Sequence, residues 1–393
     1  VTVQNTPSVK GAFWGPVIAG YCGLLVAIGM GRFGFPPLIP AMVEASWASP
    51  TTLNLSAAFN LAGYMAGALA SITATRLLGV RALIILASIA SVAAFAFSAI
   101  PLPSPVFIAL RTLSGVTGGL MMIVIPPVVA STVAPTRRGL AGGLTFAGVG
   151  TGFMLSGTVV PLFAAQGPAA AWLACTAIIA AAAIALVLTL PRTPPPEPAQ
   201  VGAQAPTGWR TSPAFIGLAA AYSAAAAGYV PHTTIFVDHV ARDLGYGLVV
   251  GGWIWILAGC TAVVAPMVAG LAADRFGFAL SLRVVVALMA LGAAIPVLTS
   301  QIVLLGLSAM LTGGLMIGLG SLAAGRTREI VGAEAHTPAW ALQTVVFAAM
   351  QAGGAYCFTA ILATTGSHAL VFALASAIMF AGVSIEIATA RRA

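Results

Sequence analysis

Long apolar runs separated by short polar gaps dominate the chain. Residues 139–191 contain no Asp, Glu, Lys or Arg, and neither do 284–325 or 335–385. One crossing of a bilayer takes about 20 helical residues, so each of these stretches suits two crossings. Their polar breaks are AAQGPAA at 164–170, Ser300 with Gln301, and TTGSH at 364–368. The remaining runs each suit one helix. The pattern predicts spans over 12–34, 53–75, 81–100, 105–130, 139–163, 169–190, 213–236, 247–273, 280–299, 302–324, 337–361 and 367–389. Strands of a membrane barrel would alternate polar and apolar residues, and these runs do not. The expected fold class is an all-α membrane protein with twelve transmembrane helices.

Composition supports lipid as the solvent. The chain is 60% hydrophobic and 6% charged, whereas soluble proteins are about 25% charged. Disordered chains are polar and charged, so disorder is excluded too. The formal net charge is +8, but the basic residues are scattered in the gaps, and no nucleic-acid partner is expected. Lys10, Arg76, Arg81, Arg137, Arg138, Arg192, Arg210, Arg275, Arg283, Arg326, Arg328, Arg391 and Arg392 lie at the termini or in even-numbered loops. Only Arg242 lies clearly in an odd-numbered loop. Basic loops stay cytoplasmic, so both termini are expected in the cytoplasm. No cleavable leader is expected from the polar start VTVQNTPSVK.

The stretch PRTPPPEPAQVGAQAPTGWR, 191–210, reads as an extended tether. It divides the chain into a first bundle (1–190), a cytoplasmic linker (191–211) and a second bundle (212–393). TGGLM occurs at 117–121 in the fourth span and again at 312–316 in the tenth, the fourth of its half. Two six-helix halves related by an axis normal to the membrane are one transporter plan. Gly148 and Gly152 put small residues on one face of the fifth span, which serves tight packing and, if it lies between the halves, sliding.

Charges inside the runs supply the candidate chemistry. Arg32, in GMGRFGFPPLIPAM, meets Pro36, Pro37 and Pro40 at once. A basic side chain near a helix end can snorkel. Prolines break the regular helix, however, and irregular backbone at membrane depth is tolerated where it lines protein or a wet cavity. Arg111 lies about six residues into the fourth span and is expected to face the same cavity, so that the two arginines attract an anion. Glu44 is either a resting partner of Arg32 or a loop charge, and it is also a proton-coupling candidate. His232, beside Pro231, either binds substrate or a coupling proton or is satisfied by a neighbouring carbonyl. Asp238 is a weaker proton candidate. Asn60, Tyr64, Tyr229 and Gln343 add polar groups to the expected substrate site, because unsatisfied amides in lipid are costly. Cys22, Cys175, Cys260 and Cys357 lack CxxC spacing and read as apolar fillers.

Several motifs carry a resemblance. GLAADRFG, 270–277, resembles the Gly-x-x-x-Asp-Arg-x-Gly loop of the major facilitator superfamily. The resemblance implies that Asp274 caps a helix and that Arg275 pairs across the interface as a conformational latch. GALASITATRLLGVR, 67–81, keeps Gly67, Arg76, Gly79 and Arg81 of that loop but has no Asp. RTLSGVTGG, 111–119, is similar to the superfamily's fourth-helix motif, which implies a substrate or proton role for Arg111. The antiporter Gly-Pro pair is missing from GVGTGFMLSGTVVP. GMGRFGFPPLIPAM resembles the bacterial YbfB/YjiJ branch, which implies the bacterial inner membrane.

The expected function is secondary active transport of a small, anionic or carboxylate-containing solute by alternating access, with proton coupling as an option and a monomer sufficient. The alternatives are an exporter of hydrophobic drugs or metabolites, and a non-transporting receptor or scaffold. An enzyme is not expected, since no clustered nucleophile, HExxH or G-x-S-x-G occurs. No G-x-x-x-x-G-K-[ST] loop occurs either, so a gradient supplies the energy. No cofactor or metal is expected.

Overall fold

The computed structural model describes residues 13–191 and 208–390. Lys10, Arg192, Arg391, Arg392 and linker residues 192–207 lie outside them. The described residues form helices α1 (Trp14–Leu38), α2 (Pro50–Leu78), α3 (Val80–Phe97), α4 (Ser104–Thr132), α5 (Arg138–Ala164) and α6 (Pro168–Thr189). The second half contains α7 (Pro213–Ala241), α8 (Leu248–Phe276), α9 (Phe278–Leu298) and α12 (His368–Ala390). Between α9 and α12 helix runs over Ile302–Thr365, 64 residues. At 1.5 Å per residue that is about 96 Å, three times the thickness of a hydrocarbon layer. Gly332, at φ 78 and ψ 178, breaks the run, leaving α10 (302–331) and α11 (333–365). The count is twelve, close to the boundaries expected from hydropathy.

The two halves repeat each other locally. Each second helix ends on a glycine that only its missing Cβ suits to positive φ: Gly79 (φ 75, ψ 156) after α2 and Gly277 (φ 85, ψ 155) after α8. The next helix starts at once. The twin TGGLM segments also sit alike. Thr117 Oγ1 of α4 lies 2.7 Å from Ser91 Oγ of α3, and Thr312 Oγ1 of α10 donates to the Met289 carbonyl of α9 at 3.0 Å.

Regular helix fails at telling places. Among the described residues, π-helical turns occur at Leu25–Met30 in α1, His239–Asp243 in α7 and Ala309–Gly314 in α10. All three lie in the first or fourth helix of a half, and α4, the remaining fourth helix, carries the pair Pro126 and Pro127; single internal prolines also occur in α5, α8, α9 and α11. Such turns shift side-chain register and release carbonyls, and they concentrate at functional sites.

Small residues join the halves. A Cβ on Gly143 would strike the Pro266 carbonyl, one on Gly150 the Ala262 carbonyl, and one on Gly139 the Gly270 carbonyl. These contacts run α5 along α8 with backbone nearly against backbone, where dispersion and weak polar contacts replace the hydrophobic effect. Gly148 and Gly152 give the tight packing expected of them, on Tyr21 and Gly29 of α1 within the first half. Gly139, Gly143 and Gly150 lie on the opposite side of the same helix, about 180° away at 3.6 residues per turn, and they carry the contact between the halves.

The Gly143→Val variant should force α5 and α8 apart. Overpacking of this kind costs about 1–3 kcal/mol. The expected outcome is a detergent-solubilised protein that melts a few degrees lower, read by thermal unfolding, with Gly142→Ala, whose position is open, unchanged.

Candidate functional site

Arg32 follows the π-turn of α1 directly, and the turn directs it between the halves. Its side chain is half-buried, and its guanidinium lies within electrostatic reach of the Tyr64 phenol of α2 and the Tyr229 phenol of α7. Tyr229 accepts a hydrogen bond from the Gln351 Nε2 of α11, which leaves its own proton free to donate. No carboxylate pairs with Arg32 among the described residues. Glu44 is exposed and makes no ion pair, so the expected resting pair does not form. A cation, two phenols and an amide from four helices make a cradle for a negative group.

Aromatic rings lead from this cradle toward the face that carries the termini. Tyr229 lies 6.5 Å from Phe347, Phe347 4.6 Å from Tyr222, Tyr222 5.9 Å from Trp340, and Trp340 6.4 Å from Phe146 of α5, by ring centroids. Trp340 Nε1 donates to the Met122 carbonyl of α4 at 3.0 Å, so the ladder crosses between the halves. Phe146 also lines a cavity of about 380 Å³ with Pro126, Arg138, Ser321, Arg328 and His336. Arg138 and Arg328 come close enough there to repel each other. Glu329, which shares the lining, is already bound to Arg326 at 3.0 Å.

Arg111 is placed differently from the expectation of a cavity-facing group. It is 0% exposed, and its Nε and both terminal nitrogens have no hydrogen-bond partner. Four rings surround it: Phe95 at 4.4 Å, Trp172 at 4.7 Å, Phe35 at 5.7 Å and Phe107 at 6.0 Å from the guanidinium carbon. Burying an ion costs several kcal/mol. A desolvated cation–π contact returns about 2 kcal/mol, so four faces offset much of that cost. Asn60, grouped with the substrate site on sequence, donates to the Arg111 carbonyl at 2.9 Å and thereby ties α2 to α4.

The other candidates separate. His232 Nε2 lies 2.8 Å from Ser308 Oγ, and that hydroxyl gives its one proton to the Gly292 carbonyl at 2.7 Å. The imidazole must therefore donate from Nε2. It is buried and stacks on Phe236 at 4.6 Å, one helical turn beyond Tyr229. Gln343 is buried, with Nε2 on the Phe215 carbonyl at 3.5 Å. The side chain of Asp238 lies outside the described atoms.

At the face that carries the termini, Asp274 accepts from Gly139 N at 2.7 Å and Leu140 N at 2.8 Å. These are orphan donors of the first turn of α5, and the carboxylate also meets the positive end of that helix. Arg275 is exposed above its neighbour Phe276, 5.4 Å away, without an ion pair. Arg76 is exposed and has no ion pair among the described residues. Among them the pairing expected of Arg275 is absent, and Asp274 makes the polar bridge between the halves at this point. Glu386 is bound by Arg283 of α9, at 2.5 and 3.2 Å. Nothing in the residue pattern distinguishes Trp340 or Gln351 from other packed side chains; the matched aromatic spacing of α7 and α11 was the one available sign.

The profile of the family described as "Uncharacterised MFS-type transporter YbfB" matches residues 24–387. The chain belongs to this family of major facilitator superfamily transporters. Its fold is similar to that of the human organic anion transporter MFSD10 (TETRAN), with 14% identity, a TM-score of 0.76, and coverage of 95% of this chain and 99% of the other. It is also similar to the proton:xylose symporter XylE bound to 6-bromo-6-deoxy-D-glucose, with 14% identity, a TM-score of 0.76, and coverage of 95% and 94%. None of the curated proteins matches the sequence. Family members are transporters and not enzymes.

Replacing Asp274 with Ala removes both bonds to α5. A lost cap costs about 1 kcal/mol, up to about 2, so the closed form of this face should lose roughly five- to thirtyfold in population. Spin labels on α5 and α8 at this face should report a longer-distance component, and Asp274→Glu should restore part of the closed form.

Proposed function

We propose that this protein is a secondary active transporter of a small organic anion, a carboxylate with an apolar or aromatic body, working by alternating access. The observation that carries the reading is Arg32: a half-buried guanidinium between the halves, flanked by Tyr64 and Tyr229 and without a carboxylate partner among the described residues. In a region of low dielectric an unbalanced cation attracts negative charge strongly, and the phenols supply directional donors to the same group. The ladder of Tyr222, Trp340 and Phe347 suits the uncharged remainder of the solute. Arg138 and Arg328 in the 380 Å³ cavity would draw the anion from, or release it to, the face that carries the termini.

Arg111 holds the first half together and adds positive potential without touching the solute. Asp274 and the α5–α8 contacts hold the near face shut, and their release opens it. By the distribution of basic loops that face is cytoplasmic, with both termini inside and the protein in a bacterial inner membrane. A monomer completes the site. Of the proton-coupling candidates, His232 is bound to Ser308, which leaves Tyr229, Asp238 or the solute itself to carry a coupled proton. The aromatic ladder also fits an exporter of uncharged hydrophobic compounds; the uncompensated arginine favours the anion.

Arg32→Gln should weaken binding of organic acids by about 100-fold, since a charge-assisted hydrogen bond is worth roughly 1.5–3 kcal/mol. Arg32→Lys should keep part of it. Thermal-shift titration of the purified protein with aliphatic and aromatic carboxylates, followed by counterflow in liposomes, measures this. Ligand-induced shifts that are the same in wild type and Arg32→Gln would refute the anion site and favour the exporter.

A further inference from the structure

At the face opposite the termini, three side chains converge that no expectation grouped. The π-turn of α7 puts His239 and Asp243 on one side, with His239 Nδ1 3.1 Å from Asp243 Oδ2. His368, the first residue of α12, brings its Nε2 to 3.1 Å from the same oxygen. The three ligand atoms all lie within 4.8 Å of one another. The imidazoles stack with centroids 4.5 Å apart. His239 is buried, while the Asp243 side chain is 42% exposed and opens the cluster to water.

We propose that His239, Asp243 and His368 form a binding site for a transition-type divalent cation, with zinc as the reference ion. Ligand atoms around a four-coordinate zinc, with bonds of 2.0–2.2 Å, stand roughly 3.3 Å apart. Two of the separations here already match that value. Two imidazole nitrogens and one carboxylate oxygen are the donor set of zinc, cobalt or nickel rather than of magnesium or calcium. Zinc sites with three protein ligands keep a fourth position for water, and the exposed edge at Asp243 provides it. Ligation needs His239 protonated on Nε2 and His368 on Nδ1, with a modest rotation of the two rings toward a common point.

The π-turn explains the convergence. Leu244 N reaches back to the His239 carbonyl at 3.0 Å, and Tyr246 N to Val240 at 3.3 Å. These wide bonds hold the segment after α7's regular helix against α12. Phe372, one turn into α12, packs on His239 at 5.7 Å and on Phe236 at 5.6 Å. A bound cation would therefore join the outer end of α7 to the start of α12, inside one half. The proposal depends on the fold and not on the transported solute.

The test uses the full-length protein purified in detergent, freed of any affinity tag and stripped with chelator. Calorimetric titration with zinc chloride should give one ion per chain, and cobalt should give the visible absorption of a tetrahedral site. His239→Ala or His368→Ala should lower zinc affinity about 100-fold or more, beyond the 10–100-fold effect of losing an outer-shell partner, and remove the cobalt band. Asp243→Asn should weaken both. His368→Gln, at an exposed helix start, serves if His239→Ala melts early in the absence of metal. Failure of the wild type to bind one zinc, or binding that survives the double substitution of both histidines, overturns the proposal.

Discussion

A guanidinium at membrane depth must be compensated by an anion, by water or by π-electrons, and this chain uses two of those solutions for two arginines. Arg111 is closed in by four rings, sealed from solvent, and makes no hydrogen bond through its side chain. Arg32 is left open between the halves with phenols beside it and no acid. The first arrangement stiffens a bundle, as the shared contacts of Phe35, Phe95, Phe107 and Trp172 show. The second leaves an electrostatic demand that the protein does not itself meet. The proposed anion site rests on that difference: the same residue type is enclosed as scaffold in one environment and left open in the other.

Along α5 and α8 the halves meet largely backbone to backbone, with Phe153 on Trp255 at 4.6 Å as an interlocking pair of rings. Glycines at 139, 143 and 150 remove the atoms that would keep the helices apart, and Asp274 supplies the charge at one end of the seam. Trp340 adds a single cross-half hydrogen bond beside the aromatic ladder. This combination suits movement. Close packing of small residues has a shallow energy surface along the helix axis, whereas the few polar contacts at the end are broken or made as a unit.

Hydropathy alone placed all twelve helices, since lipid allows no other way to satisfy backbone polar groups over such lengths. The break at Gly332 was legible as the charged gap between the tenth and eleventh spans. Side-chain direction was harder. Arg111 and Arg32 look alike in sequence, but the rings that enclose Arg111 come from α1, α3, α4 and α6, and no local pattern reveals such a convergence. Likewise Gly148 and Gly152 lie about half a turn around α5 from the glycines that meet α8; periodicity separates the two faces but does not say which neighbour each one meets. His232 carries its ambiguity in the chain, beside a proline, and only Ser308, 76 residues away, settles that its Nε2 donates.

Arg32's lack of a counter-charge also bears on the membrane voltage. With a monovalent anion seated, the centre is electrically neutral; vacated, it carries a full positive charge. One elementary charge moving through 100 mV changes the free energy by about 2.3 kcal/mol. To the extent that reorientation carries Arg32 through the field, the bare protein, not the loaded one, is the species whose turnover the cell's electrical potential would govern.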